Sequence, residues 1–433
     1  LNPTSEEKES TMPERPNIIL IMADDLGYGD LSCFGSEEIA TPNVDALAER
    51  GVTFTDFHSN GAVCSPTRAA LLTGRYQQRS GIEGVIYAKG ATRQEGLDPK
   101  NAYSLAHSFR EAGYATAVYG KWHLGYRTDF NPVHHGFDQF RGYVSGNVDY
   151  QSHVDGSGVA DWWDNLDLAP EDGYVTDLVN RHPVDFIEQH RERPFFLYVA
   201  HEAPHYPYQG RNDPSVRSVG GQPVSDHFPY SSRQQCRPTY REMIEAMDEG
   251  IGWIVDKLRE CGLEENTLVL FCSDNGAVGE VGSNGTLRGQ KRDVYEGGHR
   301  VPAAAAWPGR IDPGTVSRET VLSMDLLPTF LALAGNGDSP KKPLDGIDIS
   351  PALFEQKQLP RRDLFWRYGS KAAVRRGRWK LVRTESGCEL FDLEADLEEQ
   401  TDLASDQPAR IAELEEALTA WERDVAGDVA LKA

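Results

Sequence analysis

Asn17-Ile-Ile-Leu-Ile-Met22, followed by Ala23-Asp24-Asp25, is the stretch that indicates the fold. A short apolar run without alternation is typical of a strand covered on both faces. Three further runs of this kind occur at residues 114–119, 195–200 and 267–272. Because helical patterns separate these runs, we predict an α/β fold with a large mixed, mostly parallel sheet sandwiched by helices.

Residues that can bind metal or transfer protons follow each of the four predicted strands. They are Asp24 and Asp25, Lys121 and His123, His201 and His205, and Asp274 and Asn275. The ends of parallel strands meet at one edge of a sheet, where open α/β sheets form sites. Each pair of like charges at about 4 Å costs roughly 4 kcal/mol at an effective dielectric near 20, and a divalent cation relieves this repulsion. Oxygen ligands favour calcium or magnesium over zinc or copper.

A second motif, Cys64-Ser-Pro-Thr-Arg68, is followed by Ala-Ala-Leu-Leu-Thr-Gly-Arg75. Pro66 suits the first turn of a helix and Gly74 can end it. Cys64 is therefore predicted just ahead of a helix N-terminus, where free N–H groups favour an anion. The pentad alone fits either a buried structural cysteine or a reactive centre. Because thiolates prefer softer metals than calcium, Cys64 either only lies near the ion or is not a thiol in the active protein.

The net charge of −23 argues against nucleic acid as a partner and would repel an anionic substrate. The predicted site has the opposite balance. Its three carboxylates, a divalent cation, and the side chains of Arg68, Lys121 and Lys291 leave a net charge of +2. We therefore expect the site to accept an anionic ester, with His123 and His205 as candidate proton-transfer groups.

The termini and cysteines bear on the location of the protein. Residues 1–14 are polar and are predicted to form a flexible tail. We expect that a signal peptide precedes this numbering and is removed, so the protein is periplasmic or secreted. No apolar run is long enough to span a bilayer. Four cysteines could pair in an oxidising compartment, although the sequence does not indicate how: Cys33, Cys236, Cys261 and Cys388.

The C-terminal part has a different pattern. Residues 336–345 resemble a linker, and a charged helix is predicted from 407 to about 425. Between them lie four short strand candidates, at 364–368, 371–375, 379–383 and 389–393. We predict a flexible tail at 1–14, a catalytic domain at 15–345 and a C-terminal subdomain of antiparallel sheet and helix at 346–433.

From residue 16 to the C-terminal helix, the chain resembles the type I sulfatases of the alkaline-phosphatase-like superfamily. The pentad motif, Gly120-Lys-Trp-His-Leu-Gly125, Asp274-Asn-Gly276 and Tyr295-Glu-Gly-Gly298 carry the resemblance. His135-Gly-Phe-Asp138 is similar to glycan sulfatases, including those that act on N-acetylgalactosamine 6-sulfate. The resemblance implies an alkaline-phosphatase-like fold and hydrolysis of sulfuric esters.

The resemblance also implies a cofactor and roles for individual residues. In that family a formylglycine-generating enzyme oxidises the pentad cysteine to formylglycine, whose hydrate provides an oxygen ligand and an oxygen nucleophile. The implied calcium ligands are Asp24, Asp25, Asp274, Asn275 and the modified Cys64. Arg68, Lys121 and Lys291 would neutralise the sulfate. His205 would protonate the leaving alcohol, and His123 would assist the return of the aldehyde.

The expected substrate is a sulfated mono-, oligo- or polysaccharide. His201, Arg288, Trp162 and Trp163 are candidate substrate contacts, although the two tryptophans fit a loop anchor equally well. A phosphonate or phosphate monoester hydrolase of the same superfamily and an inactive glycan-binding relative are the alternatives. The sequence leaves open the sugar, the sulfated position, endo or exo action, and the oligomeric state.

Overall fold

The structure, a computed structural model, describes residues 15–221, 233–279, 281–336 and 341–430. The predicted tail at 1–14 lies outside these ranges, as does part of the predicted linker. The described residues form sixteen strands. They are β1 (Asn17–Ala23), β2 (Val52–Phe54), β3 (Phe57–His58), β4 (Ala115–Lys121), β5 (Gln139–Tyr143), β6 (Trp163–Asp164), β7 (Asp167–Leu168), β8 (Phe195–Ala200), β9 (Thr267–Ser273), β10 (Ala303–Ala306), β11 (Thr315–Ser317), β12 (Val321–Leu322), β13 (Asp363–Tyr368), β14 (Lys371–Arg376), β15 (Trp379–Thr384) and β16 (Gly387–Asp392).

A ten-stranded sheet forms the centre of the molecule, in the order β11-β2-β10-β9-β1-β8-β4-β5-β6-β7. Strands β9, β1, β8, β4 and β5 run parallel to one another. β10 runs antiparallel to both β9 and β2. The predicted mixed, mostly parallel sheet is confirmed, and its four central strands are the four apolar runs of the sequence.

The described residues also form nine α-helices, which pack around a ten-stranded, a four-stranded and a two-stranded (β12-β3) sheet. They are α1 (Pro42–Arg50), α2 (Cys64–Thr73), α3 (Leu105–Glu111), α4 (Val175–Gln189), α5 (Arg233–Glu260), α6 (Glu296–His299), α7 (Leu326–Leu333), α8 (Ser350–Glu355) and α9 (Pro408–Ala430). None of them is long and apolar enough to cross a membrane.

The central sheet is buried on both faces because successive side chains of a strand point in opposite directions. In β1, Ile18 and Leu20 join a core with residues of α2, α3 and α7. Ile19 and Ile21 join the opposite core, with residues of α1, α4 and α5. This two-sided burial explains why the strand sequences are continuously apolar.

The C-terminal part has its own antiparallel sheet, β13-β14-β15-β16, against which α9 packs. Leu381, Leu418 and Trp421 lie in the shared apolar core of this sheet and helix. The predicted small sheet with a helix is confirmed. Ile349 and Leu353 instead pack into the core of the large sheet, and the boundary at 345/346 stays a prediction. No disulfide joins any two of the six cysteines in the described structure, so none of the suggested pairs is formed.

Candidate active site

The four central strands bring their polar ends together. Ala23 of β1 is level with Ser273 of β9, and Met22 with Ala200 of β8. The Asp274 N–H donates to the Ala23 carbonyl at 3.1 Å, which carries this alignment past the strand ends. The sequence prediction that these ends converge is therefore confirmed for the strands themselves.

Each of the three buried carboxylates of the site has a basic side chain as its nearest charged partner. Asp24 pairs with Lys121 of β4, and Asp25 with Lys291 at 2.5 Å. Asp274 accepts two hydrogen bonds from the guanidinium of Arg68, at 2.8 and 3.1 Å. The charges of the protein groups thus cancel, so an added divalent cation would give the site a net positive charge.

Cys64 is the first residue of α2, one position inside the helix rather than just ahead of it as predicted. Its Sγ lies 3.2 Å from Asp24 Oδ1 and 3.6 Å from Lys291 Nζ. Burial, together with Asp24 and Asp274, raises the pKa of the thiol well above its usual value. The thiol is therefore neutral and a poor nucleophile.

Oxygen atoms suited to a hard cation surround Cys64. The Asn275 Nδ2 donates to Asp25 Oδ1 at 2.7 Å, which leaves the Asn275 Oδ1 buried without a hydrogen-bond donor in the described chain. Ligand atoms of Asp24, Asp25, Cys64 and His205 all lie within 4.8 Å of one another. The unpaired amide oxygen and the gathered carboxylates fit a calcium or magnesium ion.

Burial and repulsion between the carboxylates oppose their ionised forms, and a bound cation would offset both effects. Burial and the neighbouring Asp24 raise the pKa of Asp274. Burial also opposes ionisation of Asp25, but Lys291 and His205 outweigh it and lower the pKa of Asp25. Asp25 has a left-handed φ of 61°, an uncommon conformation that recurs at functional sites.

Two histidines approach the cluster, each with one ring nitrogen fixed by a backbone carbonyl. His205 Nδ1 donates to the Tyr206 carbonyl at 2.6 Å, and its Nε2 lies 3.5 Å from Asp25 Oδ2. His123 Nε2 donates to the Ile86 carbonyl at 3.0 Å, while its buried Nδ1 has no partner in the described chain. Burial lowers the pKa of both imidazoles, that of His205 to about 3. Both rings are therefore neutral here.

A cavity of about 340 Å³ opens onto this cluster. Cys64, His123, His205 and Lys291 contribute to its inner wall. The outer wall includes residues that the sequence did not single out: Tyr87, Lys89, Tyr126, Asn147, Tyr206 and Arg292. They lie in irregular loops, where no periodic signal marks a functional residue. A volume of this size is within the roughly 300–1,000 Å³ range of small-molecule sites.

Two of the predicted substrate contacts are inaccessible. His201 has no exposed surface, and neither of its ring nitrogens has a partner in the described chain. Trp162 is 2% exposed and packs against His153, with its indole N–H donating to Glu171. Neither side chain presents an exposed surface to a ligand, and the roles of both as substrate contacts stay predictions. Trp162 anchors the loop, the alternative considered above.

The other two predicted contacts are engaged elsewhere. Trp163 is half-buried in β6, near one edge of the large sheet, and its indole N–H donates to Asp161 at 2.6 Å. Arg288 lies over the Tyr295 ring and pairs with Glu389 of β16. Arg288 thus links its loop to the C-terminal sheet, and its role as a substrate contact stays a prediction.

Comparison with known proteins agrees with this geometry. The profile of the sulfatase family matches residues 16–336, and that of the N-sulphoglucosamine sulphohydrolase C-terminal region matches residues 289–424. A catalytic site of carboxylates, basic residues and a helix-terminal cysteine, on this sheet, defines a sulfuric ester hydrolase. The chain belongs to the sulfatase family.

Individual relatives are similar along most of the chain. Mouse N-acetylgalactosamine-6-sulfatase is 35% identical over 394 residues, covering 85% of this chain and 72% of that protein. Human arylsulfatase A is 36% identical over 420 residues, covering 88% and 77%. The crystal structure of Ps i-CgsB in complex with k-i-k-neocarrahexaose has a TM-score of 0.84 and 30% identity, covering 94% of this chain and 93% of that one.

Proposed function

We propose that the protein removes sulfate from a sulfated carbohydrate, using a calcium ion and a formylglycine formed from Cys64. The observation that supports this most is the position of Cys64, a neutral buried thiol among hard oxygen ligands and basic groups. A thiol suits neither calcium binding nor nucleophilic attack in this setting. An oxygen-bearing group at the same position suits both.

Asp24, Asp25, Asp274, Asn275 and the modified residue 64 would hold the calcium ion. When present, calcium and formylglycine would supply charge stabilisation and an oxygen nucleophile. The unpartnered Asn275 Oδ1 supports its assignment as a ligand.

The basic residues of the site bind and neutralise the sulfate. Arg68, Lys121 and Lys291 each already contact a carboxylate of the cluster. Calcium would satisfy these carboxylates and leave the three cations to the sulfate oxygens. Preorganised charges in a water-poor site stabilise the charge that develops in the transition state.

The two histidines move protons at opposite stages of the reaction. The His205 Nε2 is free to hold a proton for the leaving alcohol, because its Nδ1–H is fixed on Tyr206. A bound anionic sulfate favours the imidazolium form that this role requires. His123 presents its unpaired Nδ1 as a base, because its Nε2–H is fixed on Ile86.

Carbohydrate is proposed as the alcohol part because relatives are named for sugar substrates and because three tyrosines line the cavity. Aromatic rings provide apolar faces with polar tips, which suit a sugar ring. A formylglycine-generating enzyme would modify Cys64. A periplasmic or secreted location belongs to the proposal and rests on the signal peptide expected ahead of this numbering.

Replacing Cys64 with Ala tests the proposal. Sulfate release from a sulfated sugar and from an aryl sulfate should be lost. The circular dichroism spectrum should stay unchanged, and unfolding should stay cooperative. Retained release would exclude Cys64 as the source of the nucleophile. Faster turnover of an aryl phosphate than of the aryl sulfate would favour the phosphoester alternative. Glycan binding without turnover in modified protein would favour an inactive relative.

A further inference from the structure

The wall of the active-site cavity differs in charge from the rest of the protein. The chain contains 67 acidic and 44 basic residues, so an average surface is acidic. Among the described residues that line this cavity there is no aspartate or glutamate, but there are three cations: Lys89, Lys291 and Arg292. Lys291 pairs with Asp25 at the base of the cavity. Lys89 and Arg292 are exposed at its rim.

Arg292 is held in place by its backbone. Its φ is 77°, a left-handed value that non-glycine residues rarely adopt. Its N–H donates at 2.9 Å to the carbonyl of Ala62, two residues before Cys64. No carboxylate pairs with its guanidinium within the described chain. The guanidinium of Arg292 lies close enough to Tyr368 of β13 to act on its pKa. Burial raises the pKa of Tyr368, and the positive charge of Arg292 partly offsets this rise.

Lys89 lies in a loop whose other cation is already neutralised. Arg93 pairs with Asp155 at 3.6 Å, and its guanidinium lies 4.8 Å from the centre of the Tyr126 ring. These contacts secure the loop against the cavity wall. Across the residues that the structure describes, Lys89 has no acidic partner, so its charge is available to a ligand.

From these observations we propose that Lys89 and Arg292 form a second anion-binding subsite at the cavity rim. It would take a second sulfate or a carboxylate on the saccharide whose sulfate ester is cleaved. The inference rests on the proposed function and specifies its substrate class, a saccharide with at least two anionic groups. Guanidinium and ammonium groups both form charge-assisted hydrogen bonds to sulfate and carboxylate oxygens.

Equilibrium binding to the full-length Cys64→Ala chain separates this subsite from turnover. Three ligands are compared by calorimetry: N-acetylgalactosamine 6-sulfate, its 4,6-disulfate, and a disaccharide that joins the 6-sulfate to glucuronate. At least one ligand with a second anion should bind about tenfold more tightly than the 6-sulfate, as expected for charge-assisted hydrogen bonds at a partly exposed site. This gain should shrink as salt is added, because exposed charges are screened.

The double variant Lys89→Met/Arg292→Gln, made in the same chain, should lose this gain. Lys100→Met is the matched control, because Lys100 is exposed outside the cavity and its removal changes the net charge in the same direction. In modified protein with Cys64 restored, the double variant should lower the ratio of kcat/KM for the doubly and singly charged substrates, mainly through KM.

Which ligand shows the gain identifies the second group as sulfate or carboxylate. Equal binding of all three ligands, or a gain that survives the double variant, would overturn the proposal. Failure of all three to bind would overturn it as well. If the modified protein still hydrolyses an aryl sulfate in that case, the proposed sulfatase function stands and only the second anion subsite is excluded.

Discussion

At the residue scale, the site depends on which atoms the protein leaves unpaired. The Asn275 Oδ1 and the His123 Nδ1 are buried without partners in the described part of the chain. Unpaired buried polar atoms are costly and recur at functional sites. Their positions beside the paired carboxylates and the cavity support a ligand role for Asn275 and a proton-accepting role for His123.

The role of His205 predicts a dependence on the leaving group. His205→Gln should slow release from a sugar sulfate by about 10²–10⁴-fold, since a sugar alkoxide leaves poorly without a proton. It should slow release from a nitrophenyl sulfate much less, because nitrophenolate is a stable leaving group. The exposed His134→Gln is the control. Equal losses on both substrates in steady-state kinetics would contradict the assignment.

The sequence predicted the inner residues of the site better than the outer ones. Asp24, Asp25 and Asp274 directly follow apolar strands, and the sheet geometry fixes where such residues meet. Lys89 and Arg292 lie in loops whose path depends on tertiary contacts, such as the hydrogen bond to Ala62. The burial of Trp162 was equally unpredictable, because it depends on how residues 144–162 fold back over β5.

At the element scale, the spacing of β4 and β8 positions Lys121. Gly120 has a φ of 103°, and a β-carbon there would lie 2.1 Å from the Ala200 carbonyl oxygen. Only glycine allows the strands to approach this closely. Strand direction, in contrast, was not predictable for β10, whose four alanines fit a parallel or an antiparallel neighbour equally well.

Gly120→Ala should therefore lower both stability and activity. We expect a loss of about 1–3 kcal/mol in the free energy of unfolding, the range for overpacking in a tight interior. Gly113→Ala is a matched control: its φ of 84° gives similar backbone strain, but its β-carbon would have no contact closer than 4.0 Å. Urea unfolding of both variants measures the difference. Equal losses would show that strain, not the β4–β8 contact, dominates.

The contact between α6 and the C-terminal sheet predicts a pH effect. Buried Lys380 of β15 pairs with Glu296 at 2.8 Å and with Glu399 at 2.9 Å. Burial raises the pKa of Glu399 to about 7, although Lys380 opposes this. Between about pH 4.5 and 7 the folded state therefore binds more protons at Glu399 than the unfolded state does. Stability from this group falls as the pH rises, by at most about 1.4 kcal/mol per pH unit.

Glu399→Gln should remove that slope. As the pH rises from about 4.5 to 7, the parent protein should lose stability relative to the variant. The adjacent, exposed Glu398→Gln should follow the parent protein. Urea midpoints across the pH range provide the measurement, and parallel curves for the parent and Glu399→Gln would refute the explanation.

At the scale of the whole molecule, a cationic cavity lies within a chain of net charge −23. The strand ends of the large sheet position the carboxylates and Lys121, whereas Arg68 lies on α2 and Lys291 in a loop. The C-terminal sheet holds the loop that contains Lys291, through Lys380 and Glu399, and brings Tyr368 near the rim. The described lining of the cavity ends at Arg292, so the C-terminal sheet supports the site by holding this loop and not by lining the cavity.

Removing divalent cations should destabilise the entire fold. An ion that binds only the folded state adds about 2.7 kcal/mol at a free concentration 100 times its Kd. A chelator should therefore lower the Tm, and calcium should restore it. Asn275→Ala should weaken this response, whereas Asn101→Ala, at an exposed loop, should preserve it. A Tm independent of both chelator and calcium in differential scanning calorimetry would count against the metal site.

The central claim is that the working residue is a formylglycine made from Cys64. Protein produced with graded amounts of a formylglycine-generating enzyme would have graded modification, read from the mass of the Cys64 peptide. We expect the rate of sulfate release from an aryl sulfate to rise in proportion to the modified fraction and to extrapolate to zero without modification. Full activity in protein whose Cys64 is entirely unmodified would contradict the account.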